Sequence, residues 1–189
     1  MKYTFFIIII FLNIYSCKEN KKDIVLVDSL PYFNSADFTP EWGEKRHKIS
    51  YFSFVNQNGD IITNTNYEGK IYIADFFFTS CPGICPKLTK NMNIIQDLYS
   101  LDDDVLLLSH SVMPWIDTVE KLKDYAEKNN VNDAKWNLVT GDQEALYDIA
   151  RNGYFADEDF KKTGDDSAFI HTENFVLVDK EGYIRGVYN

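Results

Sequence analysis

Cys81 and Cys85 stand in the run Thr79-Ser80-Cys81-Pro82-Gly83-Ile84-Cys85-Pro86, separated by Pro82, Gly83 and Ile84. In a helical or near-helical turn that spacing brings both sulfurs to one side, close enough to chelate one ion or to form a disulfide. Two thiolates under-fill a metal site, and histidine is the usual third ligand. There are three candidates. His47 lies in the charged stretch Glu44-Lys45-Arg46-His47-Lys48 and reads as solvated. His110 ends a buried strand, where a satisfied structural histidine is the simpler expectation. His171 lies just ahead of the apolar segment Phe175 to Asp179, and a loop entering a central strand can face the cysteine loop across the end of the sheet. His171 is therefore the candidate third ligand.

The elements that would position these residues follow from periodicity. Lys70 to Thr79 (KIYIADFFFT) is a nearly continuous apolar run, as expected of a central strand covered on both faces. Pro86 to Tyr99 follows with Leu88, Met92, Ile95 and Leu98 at helical spacing. The cysteines thus fall between a buried strand and the start of a helix, where open α/β sheets place ligands and where backbone N–H groups favour a thiolate at Cys81 or Cys85. Upstream, Ile49 to Val55 and Ile61 to Thr65 flank Asn56-Gln57-Asn58-Gly59-Asp60 and predict an N-terminal β-hairpin. Downstream, Val105 to Ser111 predicts a buried strand. Asp117-Thr118 opens a helix, Trp136 to Val139 is a short strand and Gln143 to Asn152 a helix. Phe175 to Asp179 turns at Lys180-Glu181-Gly182 into a last strand, Tyr183 to Val187. This alternation predicts an α/β thioredoxin-like fold, a central mixed β-sheet flanked by helices.

The chain of 189 residues is 45% hydrophobic and 15% aromatic, enough for one globular core. Its net charge of −10 leaves no overall basic surface for nucleic acid. Asp157-Glu158-Asp159 and Asp165-Asp166 read as a solvated acidic face. Residues 1–16 (MKYTFFIIIIFLNIYS) are too short an apolar run for a bilayer-spanning helix but match the apolar core of a secretory signal. Ile14-Tyr15-Ser16-Cys17 resembles a bacterial lipoprotein signal, in which the cysteine becomes the first mature residue and carries lipid. On that reading residues 17–29 are a tether and 30–189 the folded domain. The protein would be lipid-anchored in the bacterial cell envelope and face the periplasm. With Cys17 assigned to the membrane, Cys81 and Cys85 remain as a pair.

Phe76-Phe77-Phe78-Thr79-Ser80-Cys81-Pro82-Gly83-Ile84-Cys85-Pro86 resembles the signature of the Sco/SenC copper proteins, which assist assembly of cytochrome c oxidase. The resemblance runs from Leu30-Pro31-Tyr32-Phe33 through Pro114-Trp115-Ile116-Asp117-Thr118 and Thr140-Gly141-Asp142 to His171-Thr172, Leu177-Val178-Asp179 and Gly186-Val187-Tyr188. It implies that Cys81, Cys85 and His171 bind copper in a thioredoxin-like domain. Two thiolates and an imidazole suit Cu(I), and the nitrogen and negative charge also tolerate Cu(II). Zinc would fit the bare spacing equally well, but no fourth cysteine or histidine is placed to close its site. The sequence departs from the family at Met113, where many members carry an aspartate, and that thioether reads as packing or as a soft group near the site. Relatives in the family continue through a further helix beyond the position of Asn189, so the C-terminal end is expected either to be that of a fragment or to leave one face of the sheet without its usual cover.

Two functions are compatible with these residues. The first is a membrane-tethered copper chaperone that binds one copper and helps metallate the copper centre of cytochrome c oxidase subunit II. The alternative is a thiol-disulfide oxidoreductase acting on an exported partner, with Cys81 attacking and Cys85 resolving.

Overall fold

The computed structural model describes residues 29–157, 170 and 172–189. The expected leader (1–16), Cys17, the tether up to residue 28 and His171 lie outside the described residues.

Two short strands, β1 (Tyr32–Phe33) and β2 (Pro40–Glu41), form a small antiparallel sheet. The main sheet has seven strands: β3 (Ser53–Asn56), β4 (Ile61–Thr63), β5 (Ile71–Phe77), β6 (Val105–Ser111), β7 (Trp136–Thr140), β8 (Phe175–Val178) and β9 (Ile184–Tyr188). Their order is β4-β3-β7-β6-β5-β8-β9. Helix α1 (Cys85–Leu98) crosses from β5 to β6, and α2 (Val119–Lys128) crosses from β6 to β7. Both strand pairs so connected are parallel, whereas β3–β4, β3–β7, β5–β8 and β8–β9 are antiparallel. The expected mixed sheet and the hairpin at its N-terminal side are both present.

β5 runs as one apolar stretch because it is sandwiched. It pairs with β6 from Ile71↔Val105 to Phe77↔Ser111 and with β8 on its other edge. Alternation then divides its side chains. Phe77 faces the α1/α2 side, where it packs with Cys85, Met92, Leu107, Leu122, Trp136 and Leu138. Ala74 and Phe76 face the opposite side with Phe52, Phe54, Leu108, Val139, Tyr154 and Val176. Two helices begin on side-chain caps. Thr118 accepts from the Lys121 N–H, and Asp142 accepts from the Ala145 N–H to open α3 (Gln143–Asp148).

Three local expectations change. Ile49 to Phe52 lies outside the strand. Asn64 accepts from the Phe52 N–H at 2.8 Å and donates to the Ser50 carbonyl at 3.0 Å, and the Ile49 N–H goes to Gly182. Side-chain and turn partners thus replace the ladder. The helix predicted through Asn152 is α-helical only to Asp148 and continues as a π-turn, Ile149–Gly153. A Cβ at Gly153 would meet Ile149 Cδ1 at 2.6 Å, so any larger residue there would have to displace the buried Ile149 side chain. Asp157 is not solvated: it is buried and paired with Arg151 at 2.8 Å. No helix among the described residues is long and apolar enough to cross a membrane.

Candidate metal and thiol site

The segment 78–84 leaves the end of β5 and delivers the chain to α1. The Cys81 N–H returns to the Phe78 carbonyl at 3.2 Å, which closes a turn. Ile84 then occupies the cap position of α1, Cys85 begins the helix, and Pro86 sits in its first turn, where a missing N–H costs nothing. The two cysteines therefore belong to different supports. Cys85 is 3% exposed and packed into the α1-side core, whereas Cys81 sits on the loop and is partly exposed. Both are free thiols.

Their acidities separate accordingly. Burial opposes a thiolate at Cys81, but the Cys85 thiol and the N–H groups of Cys85, Gly83 and Ile84 more than offset it, and its pKa falls below the ordinary thiol value. Burial pushes Cys85 up to about 12, reinforced by its hydrogen bond to Cys81 and the nearby negative charge of Cys81 and Asp75. The expectation that the helix start would favour a thiolate at either cysteine holds for Cys81 alone. Cys85, although it begins the helix, is turned into the apolar core.

The cysteines border a cleft of about 510 Å³ also lined by Phe76, Phe77, Phe78, Val112 and Ile170. Thr172 and Glu173 complete the side contributed by the segment before β8. Ile170 and Thr172, the described chain neighbours of His171, both line it. Among the described residues no group of three or more His, Cys, Asp or Glu side chains is placed to hold a metal.

The other two histidines are elsewhere. His47 is not solvated: it is half-buried, with Nε2 2.6 Å from the Gly153 carbonyl and its ring 4.2 Å from that of Phe155. His110 is fully buried among Phe52, Phe54, Phe76 and Tyr154. It is structural but not satisfied, because neither ring nitrogen has a hydrogen-bond partner among the described residues. Met113 is absent from the described lining of the cleft. Its N–H donates to Ser111 Oγ, and its carbonyl accepts from the N–H groups of Ile116 and Asp117.

Two buried polar clusters near the loop were not anticipated. On the α1 side, the Asp75 carboxyl accepts from the Ser109 hydroxyl, which in turn accepts from Trp136 Nε1 at 2.8 Å. At the top of the sheet, Asp117 accepts from Thr79 and Ser111. A signal for the first was present: Asp75, Ser109 and His110 interrupt apolar strand runs, and polar groups in such runs require internal partners.

The family model described as SCO1/SenC matches residues 41–189. The SCO1 protein homolog of Bacillus subtilis is 30% identical over 145 residues, covering 76% of this chain and 74% of that one. Among solved structures, a SCO1/SenC family lipoprotein from Bacillus anthracis superposes with a TM-score of 0.65 at 30% identity, over 76% of this chain and 84% of that one. BsSco, described as a member of the Sco family of cytochrome c oxidase assembly proteins with a disulfide switch, gives 0.63 at 30% identity, with coverages of 76% and 83%. Arabidopsis thaliana ScoI, solved with copper bound, gives 0.56 at 28% identity, with coverages of 74% and 86%. With the thioredoxin-like sheet and the paired thiols in place, the chain belongs to the SCO1/SenC family.

Proposed function

We propose that this protein is a membrane-tethered copper chaperone that binds one copper through Cys81, Cys85 and His171 and helps metallate the copper centre of cytochrome c oxidase subunit II. The observation that carries the reading is the pair of free thiols, one on the loop and one at the start of α1, bordering a cleft also lined by both chain neighbours of His171. Copper in the Arabidopsis relative supports the choice of metal. Two thiolates and an imidazole satisfy Cu(I), and the partly exposed Cys81 permits handover by ligand exchange with a recipient's cysteines and histidines. Copper uptake releases the thiol protons, and a Cys81–Cys85 disulfide blocks loading.

Anaerobic copper titration of the reduced protein, followed by thiolate-to-copper charge-transfer absorption, tests this reading. One copper per chain is expected, abolished in Cys81→Ala and sharply weakened in His171→Ala. Full stoichiometry in Cys81→Ala overturns it. The anchor rests on Cys17 as lipid acceptor and is supported by the lipoprotein relative from Bacillus anthracis. Cys17→Ser is expected to release the protein from the membrane fraction, and retention would remove the lipid anchor from the reading.

The unequal acidity of the two thiols favours a second reading, a thiol-disulfide oxidoreductase. The Cys81 thiolate attacks a partner's disulfide, giving a mixed disulfide and one partner thiol. Cys85 then displaces the second partner thiol and closes Cys81–Cys85, so two electrons pass to the partner and a reducing thiol must restore the pair. Disulfide-reducing turnover that survives copper removal and His171→Ala would favour this reading over the first.

A further inference from the structure

Asp117 lies between β6 and α2, far in sequence from the cysteines, and its carboxylate is fully buried with no exposed surface. A carboxylate in such a place must be compensated by donors. Thr79 supplies two of them. Its backbone N–H lies 3.3 Å from Oδ1 and 3.2 Å from Oδ2, and its hydroxyl donates to Oδ1 at 2.6 Å. The Ser111 hydroxyl donates to Oδ2 at 2.6 Å, and Ser111 Oγ accepts from the Met113 N–H at 3.1 Å. Thr79 is the second residue after β5 and the second before Cys81. One carboxylate thus ties the exit of β5 to the end of β6.

The consequence for the thiols follows from how each is held. Cys85 is fixed by α1 and the core beneath it. Cys81 is held less firmly: it stands on the loop, only partly buried against the same core, with its N–H on the Phe78 carbonyl, and the side-chain tie on its upstream side is Thr79 to Asp117. We infer that Asp117 is a positioning residue that holds Cys81 in reach of Cys85. The inference rests on the reading of Cys81 and Cys85 as a working pair, and it does not depend on which metal they carry.

The test is the equilibrium of the metal-free protein with glutathione, in which the two thiols and one oxidised glutathione exchange with the Cys81–Cys85 disulfide and two reduced glutathiones. The mixture is quenched by alkylation and mapped by mass. Asp117→Asn removes the charge and one acceptor; Thr79→Val removes the hydroxyl while keeping the shape. Each is expected to shift the equilibrium toward the dithiol by about tenfold, because the effective concentration of one thiol at the other falls. Thr79→Ser, which keeps the hydroxyl, is expected within about twofold of wild type. Because both substitutions break the same tie, the double variant is expected near either single variant, whereas independent effects would multiply to about a hundredfold. Tyr67→Phe, which removes the hydroxyl bonded to the Leu107 carbonyl elsewhere in the core, controls for stability alone and leaves the equilibrium in place.

Wild-type equilibria in both Asp117→Asn and Thr79→Val, or a double variant that multiplies the two, overturns the inference. Should Asp117→Asn fail to fold, the contrast between Thr79→Val and Thr79→Ser decides the matter alone. Failure of the copper reading would show as no copper uptake by the wild type and would leave this thiol equilibrium untouched, so the two failures are distinct.

Discussion

Ser109 and Asp75 face each other in register across the parallel β5–β6 pair, and the Ser109 hydroxyl donates to the buried Asp75 carboxyl. Trp136 Nε1 in turn donates to Ser109. One hydroxyl offsets little of the loss of water, so burial raises Asp75 from its ordinary 3.8 to about 7. The folded chain therefore holds a proton that the unfolded chain gives up between about pH 4 and 7. Stability from this group is complete at low pH and is lost as pH rises through about 7, by roughly 4 kcal/mol in all. Asp75→Asn should remove that loss. The stability difference between variant and wild type is expected to grow in the variant's favour by about 1.4 kcal/mol per pH unit across this window, measured by urea unfolding of the reduced, metal-free protein. A difference independent of pH would refute an abnormally basic Asp75.

His110 works in the opposite sense. Its ring is enclosed by Phe52, Phe54, Phe76 and Tyr154, and burial lowers its pKa from 6.5 to about 3. The unfolded chain takes up a proton below about pH 6.5 that the folded chain refuses, so stability is lost as pH falls from 6.5 toward 3. Between about pH 4 and 6.5 this slope and that of Asp75 oppose each other in the wild type. His110→Phe keeps the aromatic packing and leaves the Asp75 slope exposed. Its stability relative to wild type should increase as pH falls through this window. An unchanged difference between pH 6.5 and 4.5 would mean that the imidazole reaches solvent or a partner.

The cysteine loop was legible because it is local. An apolar strand, a Pro- and Gly-containing break and an apolar helix follow one another, and the structure keeps that order from β5 to α1. Asp117 was legible as part of a helix start and of a family-like segment but not as a buried acceptor, because its tie to Thr79 spans 38 residues and depends on β5 and β6 being neighbours. Asp157 and His47 were misread for a related reason. Charge and polarity in the chain say that a residue can be solvated. They do not reveal that Arg151, six residues back, pairs with Asp157 or that the π-turn brings the Gly153 carbonyl to a ring more than a hundred residues upstream. The unequal acidity of Cys81 and Cys85 was likewise invisible in their spacing, since it comes from which one the α1 core encloses.

Tyr72 and Tyr154 share a hydrogen bond of 3.0 Å between their hydroxyls inside the core. Removing one partner leaves the other hydroxyl buried without that partner, whereas removing both leaves ring packing and no unmet polar group. Tyr72→Phe and Tyr154→Phe are each expected to cost roughly 1–3 kcal/mol, and the double variant less than the sum of the two. Simple additivity in urea unfolding would show that the hydroxyls do not depend on each other.

Cys81 and Cys85 should differ sharply as nucleophiles, because the thiolate is the reactive form. Cys81 combines partial exposure with a pKa below the ordinary thiol value. Cys85 is 3% exposed and pushed up to about 12, so at pH 7.5 only about one molecule in 10⁴ to 10⁵ carries its thiolate. With limiting iodoacetamide and the reduced, metal-free protein, peptide mapping should find Cys81 modified at least about a hundredfold faster than Cys85. Raising the pH from 7 to 9 should accelerate Cys81 by less than the roughly 25-fold expected of a thiol at the ordinary value of about 8.5, because a larger part of it is already ionised at the start. Once Cys81 is capped, its charge and its hydrogen bond to Cys85 are gone, but the burial that contributes most to the high pKa of Cys85 remains, so Cys85 should stay slow. Comparable rates at the two sites would mean that α1 does not shield Cys85, and the division of attacking and resolving roles between the thiols would fall with it.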